Sequence, residues 1–550
     1  MDETNRPNIV WIAMEDTTPR FGCYGDNVAQ TSNIDELAAD GRRYDNAFCT
    51  AGVCAPSRAS VMTGLYPPAV GAHHMRTTWD SDVAPELPTP YEAVPPHYVT
   101  AVSECLRDAG YYCTLDSKTD YQFGEPFTMW DRHGEGAGWW DDDRDDDQPF
   151  FAMFTNSVTH ESGMWGPEMT DMRGGGTVDP IDTDPDAVEV PPYLPDTDRT
   201  RQAIARQYDN IVTSDVWIGD LLNRLEADGL AENTVVMLWS DHGEGLPRKK
   251  RWPYDSGTHV PLIVRWPGQI DGGEATDDLV SLVDLGPTTL SVAGVDVPQY
   301  IQGRPFLGPE ADDECREYVF ATRDRYDEEY DMMRSVRDER YRYVRNYYPE
   351  RPYVQWIPYR NRHPAMEELL ERDANGELTD TQAQWFADTR PAEELYDLQE
   401  DPHEIENLAD DPTHEDVLER LRGALDDWRQ RTGDRAAGRE AELDMRERVW
   451  PDGDQPTTAT PTFVPNAPGN RGLEPDNDGG TFEGPMTVKL FCPTQGASLA
   501  YTTDDSEDPH WELYSGPIHL DRGERVRLRT KAVRYGYAES DERQAIFEVE

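Results

Sequence analysis

Three clusters in this 550-residue sequence bring together residue types that could do chemistry. Two share one form, a short apolar run followed at once by metal-capable side chains: Ile9–Met14 leads into Glu15-Asp16, and Val235–Ser240 leads into Asp241-His242. Carboxylates at strand ends suit a hard divalent cation. One acid pair in so acidic a chain reads first as a helix cap or a solvated turn. Two pairs at equivalent strand ends favour metal ligation. The third cluster is Cys54-Ala55-Pro56-Ser57-Arg58, followed by Thr63-Gly64. Pro56 near a helix start, with Ser57 as a local cap, puts Cys54 at a helix N-terminus, where anions are favoured and a thiol pKa falls. Cys23, Cys49, Cys105, Cys113, Cys315 and Cys492 read as buried structural cysteines.

The lysines are a second signal. The chain carries 108 Asp plus Glu and a net charge of -57, and its only lysines are Lys118, Lys249, Lys250, Lys489 and Lys531. Where Arg supplies nearly every positive charge, a surviving lysine has a reason. Its compact point charge and tunable pKa are not reproduced by Arg. The carboxylate-rich, lysine-poor surface fits adaptation to molar salt, where repulsion is screened over a few ångströms. The same charge argues against phosphate-mediated binding of nucleic acid.

These residues need a scaffold that brings distant strand ends together. The runs Ile9–Met14, Phe150–Phe154 and Val235–Ser240 read as strands buried on both faces, with helices between them at Ile34–Ala39 and Arg201–Leu225. That alternation predicts an α/β fold with a mostly parallel central sheet flanked by helices, whose ligands sit beyond the strand ends. Four units are expected: 1–345 as the catalytic α/β domain, 346–450 as a smaller α+β subdomain, 451–480 as a Pro- and Gly-rich linker, and 481–550 as an all-β sandwich. Residues 415–448 read as amphipathic helix, and the acidic stretch Trp139–Asp147 as a surface loop. Seven cysteines without paired spacing do not predict a disulfide framework. No apolar run approaches the roughly 18 residues of a membrane span, and no signal peptide is visible, so the expected location is cytoplasmic.

In family order, these motifs resemble the formylglycine-dependent sulfatases of the alkaline phosphatase-like superfamily. Cys54-x-Pro56-Ser57-Arg58 is similar to the sequence in which a formylglycine-generating enzyme, a transient partner, oxidises the cysteine. Arg6-Pro7-Asn8-Ile9-Val10 with Glu15-Asp16 resembles the family's opening strand and first metal pair. Ser240-Asp241-His242-Gly243-Glu244, then Lys250 and Ser256-Gly257-Thr258-His259, resembles its second pair and catalytic lysine. The resemblance implies that Glu15, Asp16, Asp241, His242 and the modified Cys54 hold a divalent cation, calcium first, with magnesium or manganese open. It implies that Arg58 holds the modified residue and that Lys118, His160 and Lys250 surround the sulfate; Lys249 takes the last place if the register slips by one.

There is one departure. Ser117-Lys118-Thr119-Asp120-Tyr121 stands where the family usually reads Gly-Lys-Trp-His, a variant resembling the heparan N-sulfatase-like subgroup. Asp120, with His73, His74 and Arg76 upstream, is a candidate substrate contact, against the plainer reading of a polar loop. The C-terminal module resembles the β-sandwich appended to chitobiases. Together these imply an enzyme that cleaves sulfate from a small-molecule or oligosaccharide, carbohydrate-type substrate, without nucleic-acid or membrane partners. The alternatives are a phosphonate or phosphate ester hydrolase of the same superfamily, and a catalytically silent glycan-binding protein in which Cys54 stays a thiol.

Overall fold

Strand β1 (Asn8–Met14) shows why its sequence is apolar throughout. Ile9, Trp11 and Ala13 enter one hydrophobic cluster, while Val10, Ile12 and Met14 enter another on the opposite face. Alternate side chains of a strand point to opposite faces, so a strand covered on both must be apolar at every position. The computed structural model describes residues 6–166, 181–311, 314–434, 441–468 and 477–550.

The central sheet adds β2 (Arg42–Phe48), β3 (Tyr112–Leu115), β4 (Arg132–His133), β5 (Phe150–Asn156), β6 (Thr234–Ser240), β7 (His259–Arg265) and β8 (Glu274–Ser281), in the order β4-β3-β5-β1-β6-β7-β2-β8. Strands β3, β5, β1 and β6 run parallel, and only β7 opposes its neighbours β6 and β2. This is the mostly parallel, helix-flanked sheet the sequence predicts. Helix α1 (Ser32–Ala39) lies where expected, and α2 (Cys54–Thr63) opens on Cys54 itself. A further helix, Asp198–Ala227, packs Ile211, Ile218, Leu221 and Leu225 onto the face of the sheet that carries Val10 and Ile12.

A second, antiparallel sheet joins Val319–Arg323, Met333–Arg337, Tyr341–Asn346 and Glu393–Asp397, covered by helix Glu415–Thr432 through Leu421, Leu425 and Trp428. Its first two strands lie inside the stretch 1–345 assigned by sequence to the first unit. Of the predicted 415–448 helix, Thr432 ends the first part, Glu442–Val449 is a separate helix, and 435–440 lie outside the described residues.

Three expectations are corrected. The stretch 451–480 is not linker throughout: Thr462–Asn466 is a strand paired with Met486–Phe491, and Phe463 is fully buried in the sandwich core beside Val488 and Phe547. A single well-placed aromatic outweighs the polar composition around it; 469–476 lie outside the described residues. The stretch Trp139–Asp147 is the irregular, largely exposed loop expected, except that Trp139 at its start is buried, stacked on Phe150 at 5.5 Å and donating Nε1–H to Asp228 Oδ2 at 2.9 Å. Cys315 is exposed, unlike the buried Cys49 and Cys113. The sandwich itself closes from a three-stranded and a five-stranded sheet.

Candidate active site

The register of the parallel strands decides where the polar residues meet. Met14 pairs with Asn156 of β5 and with Ser240 of β6, so the three strands end level. Glu15-Asp16, His160 and Asp241-His242 therefore emerge at one edge of the sheet, and Lys118 follows β3 at the same edge. Backbone amides bonded to side chains of β6 and the residue after it fix the level further: Asp16 N–H donates to Asp241 Oδ1 at 3.2 Å and Thr17 N–H to Ser240 Oγ at 3.0 Å.

Cys54 completes the cluster from the start of α2. Its Sγ lies 3.2 Å from His242 Nε2, whose Nδ1 faces Gly243 O at 2.8 Å. Ser57 does not cap this helix; its hydroxyl donates to Asp241 O at 2.6 Å and so ties α2 to the end of β6. Arg58 Nε donates to Asp241 Oδ2 at 3.0 Å. Asp16, Cys54, Asp241 and His242 are all fully buried. Ligand atoms in the sets Asp16–Cys54–His242, Glu15–Cys54–Asp241 and Glu15–Asp16–His160 lie within 4.8 Å of one another. Asp16 Oδ1 is buried with no donor in hydrogen-bond geometry; its near neighbour, at 3.1 Å, is Nε2 of His242, itself a candidate metal ligand. Burying such an acceptor unpaired is costly, and a cation satisfies it. Oxygen donors with one imidazole fit a hard divalent ion.

Two lysines flank the cluster. Lys250 Nζ lies 2.6 Å from Asp16 Oδ2 and 3.0 Å from Glu161 Oε1. Lys118 Nζ lies 3.0 Å from Glu15 Oε2 and 3.6 Å from Asp120 Oδ2. Lys249 turns away to Glu244, at 2.6 Å, which removes the one-residue ambiguity. Lys118 Nζ and Arg58 Nη2 are buried donors that find no acceptor in hydrogen-bond geometry. They are donors available to an anion at the start of α2.

Burial opposes charge on every carboxylate here, and the cations outweigh it. Lys118, His160 and Arg58 hold Glu15 below the usual carboxylate range; Lys250 and His242 hold Asp16 well below it. Burial and the charge of Lys250 lower His160 to about 4. Asp16, Arg76, Asp120 and Arg251 all have φ between 48° and 76°. Such left-handed conformations in residues other than glycine cost free energy and persist where surrounding contacts impose them, typically at functional sites.

A cavity of about 750 Å³ opens onto Glu15, Lys118, Asp120 and His160, with Arg76 and Trp79 on its wall. Arg76 Nη1 lies 3.3 Å from Asp120 Oδ1, so Asp120 bridges Arg76 and Lys118. His73 and His74 are not brought to this cavity. They line another, of about 880 Å³, with Glu442 and Asp324, and His74 Nδ1 accepts from Arg325 N–H at 3.2 Å.

Sequence reasoning missed Glu161 and Arg251. Glu161 accepts both arms of Arg251 at 2.9 Å, touches Lys250, and donates its N–H to Asp16 Oδ2 at 2.8 Å. Each directly follows an identified residue, His160 or Lys250. In a chain so rich in Asp, Glu and Arg, neither type carries a signal of its own.

The mostly parallel, helix-flanked sheet has the alkaline phosphatase-like fold, and it gathers a buried cysteine, carboxylates and lysines at one edge. Comparison with known proteins makes the assignment specific. The family model described as Sulfatase matches residues 7–149 and 137–295, that of N-sulphoglucosamine sulphohydrolase, C-terminal, matches 243–384, and that of the chitobiase/beta-hexosaminidase C-terminal domain matches 477–542. An ulvan-active sulfatase of Formosa agariphila is 40% identical over 95% of this chain and 89% of its own. The N-sulphoglucosamine sulphohydrolase of Homo sapiens is 27% identical over 78% of this chain and 90% of its own. A solved structure in complex with its substrate D-glucosamine-2-N,6-O-disulfate superposes with a TM-score of 0.55 at 20% identity, over 80% of this chain and 100% of that one. The chain belongs to the sulfatase family, and it is a sulfatase.

Proposed function

We propose that this sulfatase removes sulfate from a sulfated carbohydrate at the sheet edge described above, using Cys54 oxidised to formylglycine and a divalent cation, calcium first. The observation that carries the reading is the meeting of Cys54 with Glu15, Asp16, Asp241 and His242 in one buried cluster flanked by Lys118 and Lys250. The names of two relatives, an ulvan-active sulfatase and an N-sulphoglucosamine sulphohydrolase, support a carbohydrate.

A sulfate monoester repels nucleophiles, so the site must stabilise charge on its oxygens. When present, the cation would supply Lewis-acid charge at a sulfate oxygen, and formylglycine a hydrated aldehyde as the nucleophilic oxygen. Glu15, Asp16, Asp241 and His242 would hold the ion, and Arg58 would fix Asp241 beside the modified residue. Lys118 and Lys250 would bind the sulfate oxygens. Lys250, held protonated by Asp16 and Glu161 against burial, is the group placed to give a proton to the leaving oxygen or nitrogen, with His160, held neutral by burial and the charge of Lys250, beside it as a hydrogen-bonding partner. Asp120 would act through Lys118 and Arg76, orienting them rather than touching sulfate.

Release of inorganic sulfate from sulfated oligosaccharides, measured beside release of phosphate and phosphonate products from aryl esters, tests the reading. Faster turnover of the phosphonate than of any sulfate would replace it with the phosphoryl alternative. Glycan binding without turnover of either would favour the silent glycan-binding protein.

A further inference from the structure

A continuous stack of rings runs from the site to the C-terminal sandwich. Tyr121 and Phe123, in the loop that follows Lys118, stack with centroids 5.6 Å apart, and Phe123 stacks on Tyr535 of the sandwich at 5.2 Å with an interplanar angle of 5°. These rings alternate with backbone in the left-handed region: Asp120 at φ 56°, Gln122 at φ 66° and Gly124 at φ 76°. Asp120 and Gln122 carry side chains, so a loop left to itself would relax from this conformation. The same loop places the Lys118 ammonium and the Asp120 carboxylate that orients it.

The sandwich grips the outer end of the stack. Gly536 N–H donates to Phe123 O at 3.0 Å, and Ala93 N–H donates to Gln122 O at 2.6 Å. Gly536 sits so close that a Cβ there would lie 2.2 Å from Ala93 O. Tyr535 OH accepts from Ala101 N–H at 3.2 Å and bonds the Glu104 carboxylate. Arg107 Nη2 donates across to Trp511 O at 2.8 Å, and Arg534 Nη2 back to Pro95 O at 3.1 Å. Tyr535 is buried in the same hydrophobic cluster as Phe123, Leu106 and Val102 of the first unit.

We propose that the sandwich is part of the catalytic apparatus: Tyr535 is a positioning residue that clamps Tyr121 and Phe123 and thereby holds Lys118 at the sulfate, with Asp120 beside it to orient it. The proposal rests on the functional reading of Lys118 given above. It assigns the module a role inside the enzyme rather than as a separate glycan binder.

The test is a double-mutant cycle on the full-length enzyme with an aryl sulfate. Tyr535→Ala lowers kcat/KM about 10- to 100-fold, the scale of a small misplacement of a catalytic group. Tyr535→Phe, which keeps the ring, restores it. In a Lys118→Ala background Tyr535→Ala has little further effect, because the two act as one unit. Phe123→Leu, which keeps apolar volume but loses the stack, serves in place of Tyr535→Ala if that variant does not unfold cooperatively. Amide hydrogen exchange over residues 118–124 reads the clamp without reference to turnover: it rises in Tyr535→Ala and not in Tyr535→Phe. Equal fold-losses in both backgrounds, or unchanged exchange, overturn the positioning role. A wild-type enzyme that releases no sulfate from any ester overturns the functional reading instead and leaves the exchange result to decide the clamp.

Discussion

Lys250 Nζ lies 2.6 Å from Asp16 Oδ2, while Lys249, one residue earlier, places its Nζ at the same distance from Glu244 Oε2. The turn that separates them depends on Gly257, where a Cβ would lie 2.2 Å from Lys249 O and 2.3 Å from Trp252 O. The adjacent lysines therefore do different work, and substitution separates them. Lys250→Met lowers kcat by about 10²–10³-fold, the cost of losing one preorganised charge-stabilising donor, with the fold intact by circular dichroism. Lys249→Met leaves Arg20, at 3.3 Å, as the remaining cation on buried Glu244. It costs about 1–3 kcal/mol of stability in urea unfolding, with kcat within a few-fold of wild type.

Removing divalent cations with a chelator abolishes sulfate release, and calcium restores it. An ion held by the buried Asp16–Cys54–His242 cluster would also stabilise the fold, because it would bind the native state alone. At a hundredfold excess over Kd the gain is about 2.7 kcal/mol, read as a rise in Tm. Full activity after exhaustive chelation would exclude the cation from the mechanism.

The acid limb of stability has an identified contributor away from the site. Glu442 accepts from Arg325 at 2.6 and 2.8 Å and from Tyr91 OH at 2.7 Å. Burial opposes its charge, but His74, Arg325 and Tyr91 lower its pKa from the ordinary 4.5 to about 2. A depressed carboxylate stabilises the fold above its unfolded pKa, and that contribution is lost as pH falls from about 4.5 towards 2, on the order of 3 kcal/mol in all. Urea unfolding between about pH 6 and pH 3 shows a steeper loss for wild type than for Glu442→Gln. Parallel pH dependences would rule this contribution out.

Trp79 stands half-exposed on the cavity wall with the Arg76 guanidinium 4.8 Å over its ring. A half-exposed aromatic ring beside the proposed sulfate site suits a sugar ring. Trp79→Ala raises KM for a sulfated oligosaccharide about ten-fold, equivalent to about 1.4 kcal/mol of binding, and leaves turnover of a small aryl sulfate unchanged. Equal effects on both substrates would place Trp79 outside saccharide recognition.

How much of this was legible in the sequence depends on the range of the interaction. The strand ends carrying Glu15-Asp16 and Asp241-His242 could be read because burial on both faces forces continuous apolar runs, and a break to acids stands out. Lys118 and Lys250 could be read because lysine is scarce here. Glu161 and Arg251 could not: their pairing joins residues 90 positions apart, and nothing local announces it. The cavity that His73 and His74 line could not be read, because residues 71–101 form neither helix nor strand and so have no period to say which cavity they face. Phe463 and Trp139 show the same limit from the other side, as single aromatics buried from stretches whose polar composition argued for the surface.

The central claim is that Cys54 is converted to formylglycine. Mass spectrometry of the tryptic peptide Tyr44–Arg58, from protein made in its native host, tests it most directly, because that peptide also carries Cys49 as an internal control. The account predicts the mass deficit of thiol-to-aldehyde conversion at Cys54 with Cys49 unchanged. Two intact thiols in active enzyme would contradict it.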